Sequence, residues 1–203
     1  MGAEQRHAGG RPRTFDETQA LDRAIDVFWR LGFEGASLAE LTDAMGINKP
    51  SLYAVFGSKE ELFVRALERY RQTYHGHLRH LLAQPRAYDI LESYLRDTAK
   101  AVRAGTAPGC LSIHGGISCG PTNARIPQLL AEYRRGIEDA IAKALAAADD
   151  SVDIDAEALA GFAVTIGQGL AVDAAAGVQQ ARLDAAVDVA LAGLASLIGP
   201  PSP

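Results

Sequence analysis

The chain has 203 residues, is 48% hydrophobic and carries a formal net charge of -5 at pH 7. That is ample apolar material for a packed core, which excludes a disordered chain. The acidic balance excludes indiscriminate coating of nucleic acid or membrane, so any nucleic-acid contact must come from a local surface.

The charge is uneven: residues 1–80 hold 11 Lys and Arg against 11 Asp and Glu, whereas residues 81–203 hold 9 against 14. Residues 1–13 read as a flexible basic arm with Arg6, Arg11 and Arg13, and no apolar run follows them as a secretory signal would require. Asp188 interrupts AAVDVALAGLASLIG, the nearest approach to a membrane span. Cys110 and Cys119 are too few for a disulfide framework. A cytoplasmic protein is expected.

Apolar residues recur three and four apart throughout, which predicts an all-α protein of about nine helices. Asp16 and Gln19 open the first helix, with Leu21, Ala24, Ile25, Phe28 and Leu31 on one face, Trp29 beside it, and Gly32 as its stop. Ser37 and Glu40 form a capping box for the second, which ends at Gly46. Asn48 caps a third helix over 49–56, with Pro50 in its first turn. Ser58 and Glu61 make a second capping box for a fourth helix that connects 58–80.

Beyond residue 81 the helices lengthen and become alanine-rich. One spans about 87–104, a short irregular one falls in CLSIHGGISCG, and three more span about 126–148, 155–175 and 180–198, before a disordered tail at 200–203. Residues 14–57 are read as the first domain and 81–199 as a larger helical bundle.

Two short helices joined by a glycine-containing turn, the second with a polar face, match the helix-turn-helix arrangement. Leu52 and Phe56 should face the module's own core. Lys49, Ser51 and Tyr53 then point outward, with Ala54 and Val55 beside them, to meet bases or phosphates. Ser37, Ser58 and Lys59 start helices whose backbone N–H groups suit phosphate oxygens. Asn48 is a cap before it is a base reader.

The run F-x-x-x-G-F-E-G-A-S-L-x-E-L-x-x-A-M-G-I-N-K-P-S-L-Y-x-x-F-G-S-K-E-E-L-F closely resembles the tetracycline-repressor (TetR) family of bacterial transcription regulators over about residues 14–63. The resemblance implies DNA contacts at Ser37, Lys49, Ser51, Tyr53 and Lys59, with Arg11 and Arg13 in an arm that reaches the minor groove or the backbone. It departs at Val55, where the family often has His. It also implies a two-fold dimer whose remaining helices bind a small molecule that weakens operator binding.

Gly161, Thr165 and Gly169 form a small-residue stripe, and Leu183, Val187, Leu191 and Leu194 an apolar one, together the expected dimer interface. Tyr94, Thr98, Leu111, His114, Ser118, Tyr133, Phe162 and Ile166 are the candidate ligand contacts by position. Few obvious charged groups fall there, so an apolar or weakly polar effector is expected.

Cys110 and Cys119 invite a redox reading, but nine residues of one straight helix would hold them about 13 Å apart, beyond disulfide reach of about 7 Å. His75, His77 and His80 read as a solvated helix end, not a metal site, because no carboxylate or thiol stands beside them. Asp149, Asp150, Asp153 and Asp155 read as a solvated loop that caps the next helix. No catalytic residue, metal or cofactor is expected.

The function read from the sequence is thus a ligand-responsive regulator, with repression favoured, that binds a palindromic operator as a dimer. An enzyme acting on a small hydrophobic molecule is the competing reading, without a nucleophile and base pair to support it. A dimeric scaffold without DNA binding is the third, marked by absent or salt-insensitive DNA affinity.

Overall fold

Side-chain caps set the first helices. The computed structural model describes residues 15–74, 78–104, 107–116, 118–150 and 154–199. In α1 (Glu17–Gly35) the Asp16 carboxylate accepts from the backbone N–H of Thr18 at 2.8 Å and Gln19 at 3.2 Å. Ser37 and Glu40 cap α2 (Leu38–Met45) reciprocally, and Gly46 ends it with φ 67°. The Asn48 side chain caps α3 (Lys49–Phe56), and Ser58 Oγ accepts from Glu61 N–H at the start of α4 (Lys59–Tyr74).

The short α5 (Leu78–Leu81) follows, and residues 75–77 of the helix expected to run to residue 80 lie outside the described residues. The longer helices are α6 (Ala87–Ala104), α8 (Arg125–Ala146), α9 (Ala156–Ala175) and α10 (Gln180–Ile198). Between α6 and α8 lie the short α7 (Leu111–His114) and a 3-10 turn (Pro121–Asn123). The fold is all-α: among the described residues there are ten α-helices and no strand.

Two cores organise these helices. The first joins Phe28 and Phe33 of α1 to Leu52 and Phe56 of α3 and Phe63 of α4, and recruits Leu111, Ile126 and Leu130 from later in the chain. Its centre is aromatic, with Phe63 edge-on to Phe28 at 4.9 Å and to Phe33 at 5.4 Å. The second packs α6, α8, α9 and α10 around Leu91, Leu95, Ile141, Leu145 and Leu191.

The buried face of α1 is rotated from its expected position. Trp29 is 4% exposed because it docks edge-on against Tyr70 of α4 at 5.2 Å, and Leu31 swings out to 40% exposure. A helix period identifies a stripe, but its exact centre depends on the partner. By length and composition α9 would pass as a membrane span, with mean hydropathy 1.4, but 44% of that window is buried in the protomer against α6 and α8.

The acidic loop does more than its composition suggested. Asp155 caps α9 as expected, accepting from Ala158 N–H. Asp150 instead caps α6, accepting from Ala87 N–H at 2.8 Å and from Arg86 Nε at 3.1 Å, across 63 residues of sequence. Asp153, His75, His77, Arg11, Arg13 and residues 200–203 lie outside the described residues.

Phe28→Ala should lower unfolding stability by about 3–5 kcal/mol, because it empties the centre of the first core. Urea unfolding measures it. Asp150→Ala should lose about 1 kcal/mol as a missing cap. The Ala87 N–H bond, aided by Arg86, holds the Asp150 carboxyl below its ordinary value, so this stabilisation is present above the usual carboxylate range and is lost as pH falls through the depressed value. The gap between wild type and Asp150→Ala should therefore narrow on acidification, which urea midpoints across pH measure.

Candidate functional site

The outward surface of α3 is the first site. Leu52 and Phe56 are 0% and 3% exposed and fix the helix on its module, leaving Tyr53 49% exposed. Lys49 and Ala54 are exposed as well, with Ser51 and Val55 half-buried. Asn48 is committed as a cap, since its Oδ1 accepts from Ser51 N–H at 2.8 Å. Arg65 holds the other end of α3: it donates to the Val55 carbonyl at 3.0 Å and to Glu17 at 3.1 Å, and lies over the Phe56 ring. Sequence reasoning did not single out Arg65, because its partners lie on two other elements.

Ser37 and Ser58 spend their hydroxyl acceptors on their own helix starts, leaving each hydroxyl hydrogen to donate outward. Lys59 stands at the α4 start with Nζ 4.6 Å from the Phe33 ring centre. Burial lowers its pKa, and Glu34 opposes the shift. The ring fixes the direction of this ammonium.

The second candidate site is a cavity of about 70 Å³ lined by α1, α4, α5, α6, α7, α8 and α9. Tyr94 and Thr98, two of the candidate ligand contacts, line it, joined by Trp29, Tyr70, Cys110, Ser112, Arg134 and Gln168, none of which was named as a ligand contact. Cys110 Sγ lies 3.2 Å from the Tyr70 hydroxyl and 3.1 Å from Ser112 Oγ. Desolvation raises the pKa of both Tyr70 and Tyr94, so each remains a neutral hydrogen-bonding group at neutral pH.

The remaining sequence candidates fall elsewhere. Leu111 is fully buried in the first core, and Ile166 is half-buried against the second. Phe162 is 43% exposed, outside the cavity, because it lies on the outer face of α9. His114 and Ser118 line a separate surface recess with Gly32 and Pro108. The His114 ring folds back on Cys110, with Nδ1 3.2 Å from its carbonyl oxygen. Tyr133 lines an open groove of about 620 Å³ that meets the cavity at Leu78 and Ile137.

Two charged residues, Arg134 and Asp97, also line the cavity. Arg134 Nη1 donates to the Ser112 carbonyl. Cys119 sits apart from this wall against the first core, and burial pushes its thiol pKa up, away from ready thiolate chemistry. Among the described residues no group of three or more His, Cys, Asp and Glu is placed to hold a metal ion.

The cavity and the α3 module meet at one segment. Cys110, Ser112 and Ile113 line the cavity, and two residues further the Gly115 carbonyl accepts from Phe33 N–H at 2.8 Å. Gly32 makes this approach possible, with φ 69° and an added Cβ only 3.3 Å from the His114 carbonyl oxygen. Gly115 is as tightly placed, since a Cβ there would meet the Leu111 carbonyl oxygen at 2.6 Å. Asn123 donating to Glu34 and Arg125 paired with Glu60 tie the same two regions from the side.

The expected dimer residues divide between two faces. Leu183, Val187, Leu191 and Leu194 are 1–2% exposed within their own protomer, so this stripe is the inward face of α10 and not an outward one. Thr165 and Gly169 are exposed, and Gly161 is half-buried beside Glu138. The large apolar side chains left outside on α9 and α10 are Phe162, Val172 at 48%, Val189 at 75% and Leu197 at 76%.

Residues 20–66 match the family model for bacterial regulatory proteins of the tetR family. The HTH-type transcriptional repressor ComR of Escherichia coli is 31% identical over 181 residues, covering 86% of each chain. The HTH-type transcriptional repressor BdcR of the same organism is 40% identical over 114 residues, 55% of this chain and 58% of that one. A cysteine mutant of the TetR family regulator CifR, solved on a 26-base-pair operator DNA, superposes with a TM-score of 0.83 at 39% identity, covering 89% of this chain and 98% of its own. With an exposed α3 face, a helical body of matching shape and relatives that are regulators and not enzymes, the chain belongs to the tetR family of bacterial regulatory proteins and is a DNA-binding transcriptional regulator.

Proposed function

We propose that the protein is a cytoplasmic repressor that binds a palindromic operator as a homodimer and releases it when a small molecule enters the cavity. The observation that carries this reading is the shared segment of Cys110 to Gly115. It forms cavity wall at one end and hydrogen-bonds the α1 kink at the other. A ligand that displaces that wall has different affinities for the two positions of the α3 module, which is what coupling requires.

Lys49, Ser51 and Tyr53 supply the groove and phosphate contacts, with Ser37 and Lys59 at flanking helix starts and Arg11 and Arg13 in the preceding arm. Repression is supported by ComR and BdcR, both repressors by name, and operator binding by CifR on its DNA. A dimer is supported by the apolar outer faces of α9 and α10, because one short helix makes few contacts and two-fold pairing reads two half-sites.

The deciding experiment is binding of the purified protein to its own upstream DNA against a scrambled duplex, in a salt series. Two-fold protection is expected. Lys49→Ala should reduce affinity and lower the salt slope by about 1, and Tyr53→Phe should weaken binding with the fold intact. Equal affinity in folded variants would remove those side chains from the interface.

Gly169→Glu tests the dimer surface. No atom lies within 4 Å of a Cβ built at Gly169, so the protomer should tolerate the side chain while the charge opposes helix pairing. Sedimentation should show monomer at concentrations where the wild type is dimeric, together with loss of operator binding. A dimeric Gly169→Glu would place the interface elsewhere.

A further inference from the structure

We infer that the cavity takes a small monocarboxylate with a short apolar body, held through its carboxylate by Arg134. Arg134 is half-buried in the cavity wall, and among the described residues no carboxylate pairs with it: its hydrogen bond goes to the Ser112 carbonyl. A guanidinium withdrawn from water without a counter-charge is costly, and a bidentate carboxylate is the partner that its planar donors fit. Asp97, the other charged wall residue, is already engaged in an interaction of its own.

The rest of the wall defines the ligand body. Trp29, Val102, Ile113, Ile137 and Ala171 are apolar, and the Tyr94 hydroxyl is neutral. A cavity of about 70 Å³ has room for a few heavy atoms, which fits a short aliphatic acid and excludes a ring or a long chain. Neither the apolar body nor the size explains Arg134. The anion does.

The same guanidinium gives the ligand a route to the DNA module. A carboxylate on Arg134 competes with the Ser112 carbonyl for its donors, and so loosens α7 from α8 on the segment that ends at the Gly115 bond to Phe33. This consequence rests on the effector-responsive reading given above, whereas the ligand class does not.

The test titrates propionate and butyrate, each against its primary amide, into the full chain by calorimetry, with operator binding measured alongside. Both acids should bind saturably, and propionamide and butyramide at least about tenfold more weakly. Arg134→Gln should abolish the preference, and Arg134→Lys should keep part of it because the ammonium retains charge without the planar fork. Should Arg134→Gln fail to fold, Arg134→Lys and the contrast between acid and amide still decide.

Equal binding of acid and amide, undiminished binding of the acids by Arg134→Gln, or no binding of either acid at millimolar concentration would overturn the inference. Acids that bind through Arg134 yet leave operator affinity unchanged would support the ligand class and sink the effector reading. Amides that release the operator while the acids do not would do the reverse.

Discussion

The backbone bond from Phe33 N–H to the Gly115 carbonyl is the joint on which the two parts of the protein depend. It needs two residues without side chains. Gly32 must take a positive φ beside the His114 carbonyl, and Gly115 must sit where a Cβ would strike the Leu111 carbonyl. Around that joint the aromatic trio of Phe28, Phe33 and Phe63 is packed without solvent, so displacement of α7 moves against a rigid body. The contact is short, backbone-mediated and surrounded by core. Such a joint transmits position and tolerates little slack.

This arrangement explains why the first core ignores the boundary drawn from the sequence. Leu111, Ile126 and Leu130 belong to later helices but pack with α1 and α4. The module that carries α3 is therefore built partly from the larger helical body, and α4 is shared core as much as connector. A hinge of exposed residues would separate the two parts. A shared core binds them.

Much of the helical framework was legible because its signals are local. Asp16, Ser37, Asn48, Ser58 and Asp155 act on backbone N–H groups two or three residues away, so their spacing alone identifies them. Leu52 and Phe56 were placed inward by the same logic. What was not legible depends on contacts distant in sequence: Asp150 capping α6, Arg65 clamping α3, and Trp29 rotating α1 toward Tyr70. In α10 the periodicity of Leu183, Val187, Leu191 and Leu194 correctly marked one apolar face, but a period cannot say whether that face meets its own chain or another.

The cavity shows the same limit more sharply. Cys110, Ser112 and Arg134 come from two helices, and a tryptophan of α1 completes the wall, so no single window of sequence contains the site. Position within the helical bundle could place Tyr94 and Thr98 of α6 at the cavity wall, where the inward face of one long helix is unambiguous. It could not select Arg134, which lies on a helix rich in charge beside Glu132, Arg135 and Glu138 and differs from them only in what α7 places over it. Charge on a helix ordinarily signals solvent. At Arg134 it signals a wall, and only the packing of α7 against α8 distinguishes the two.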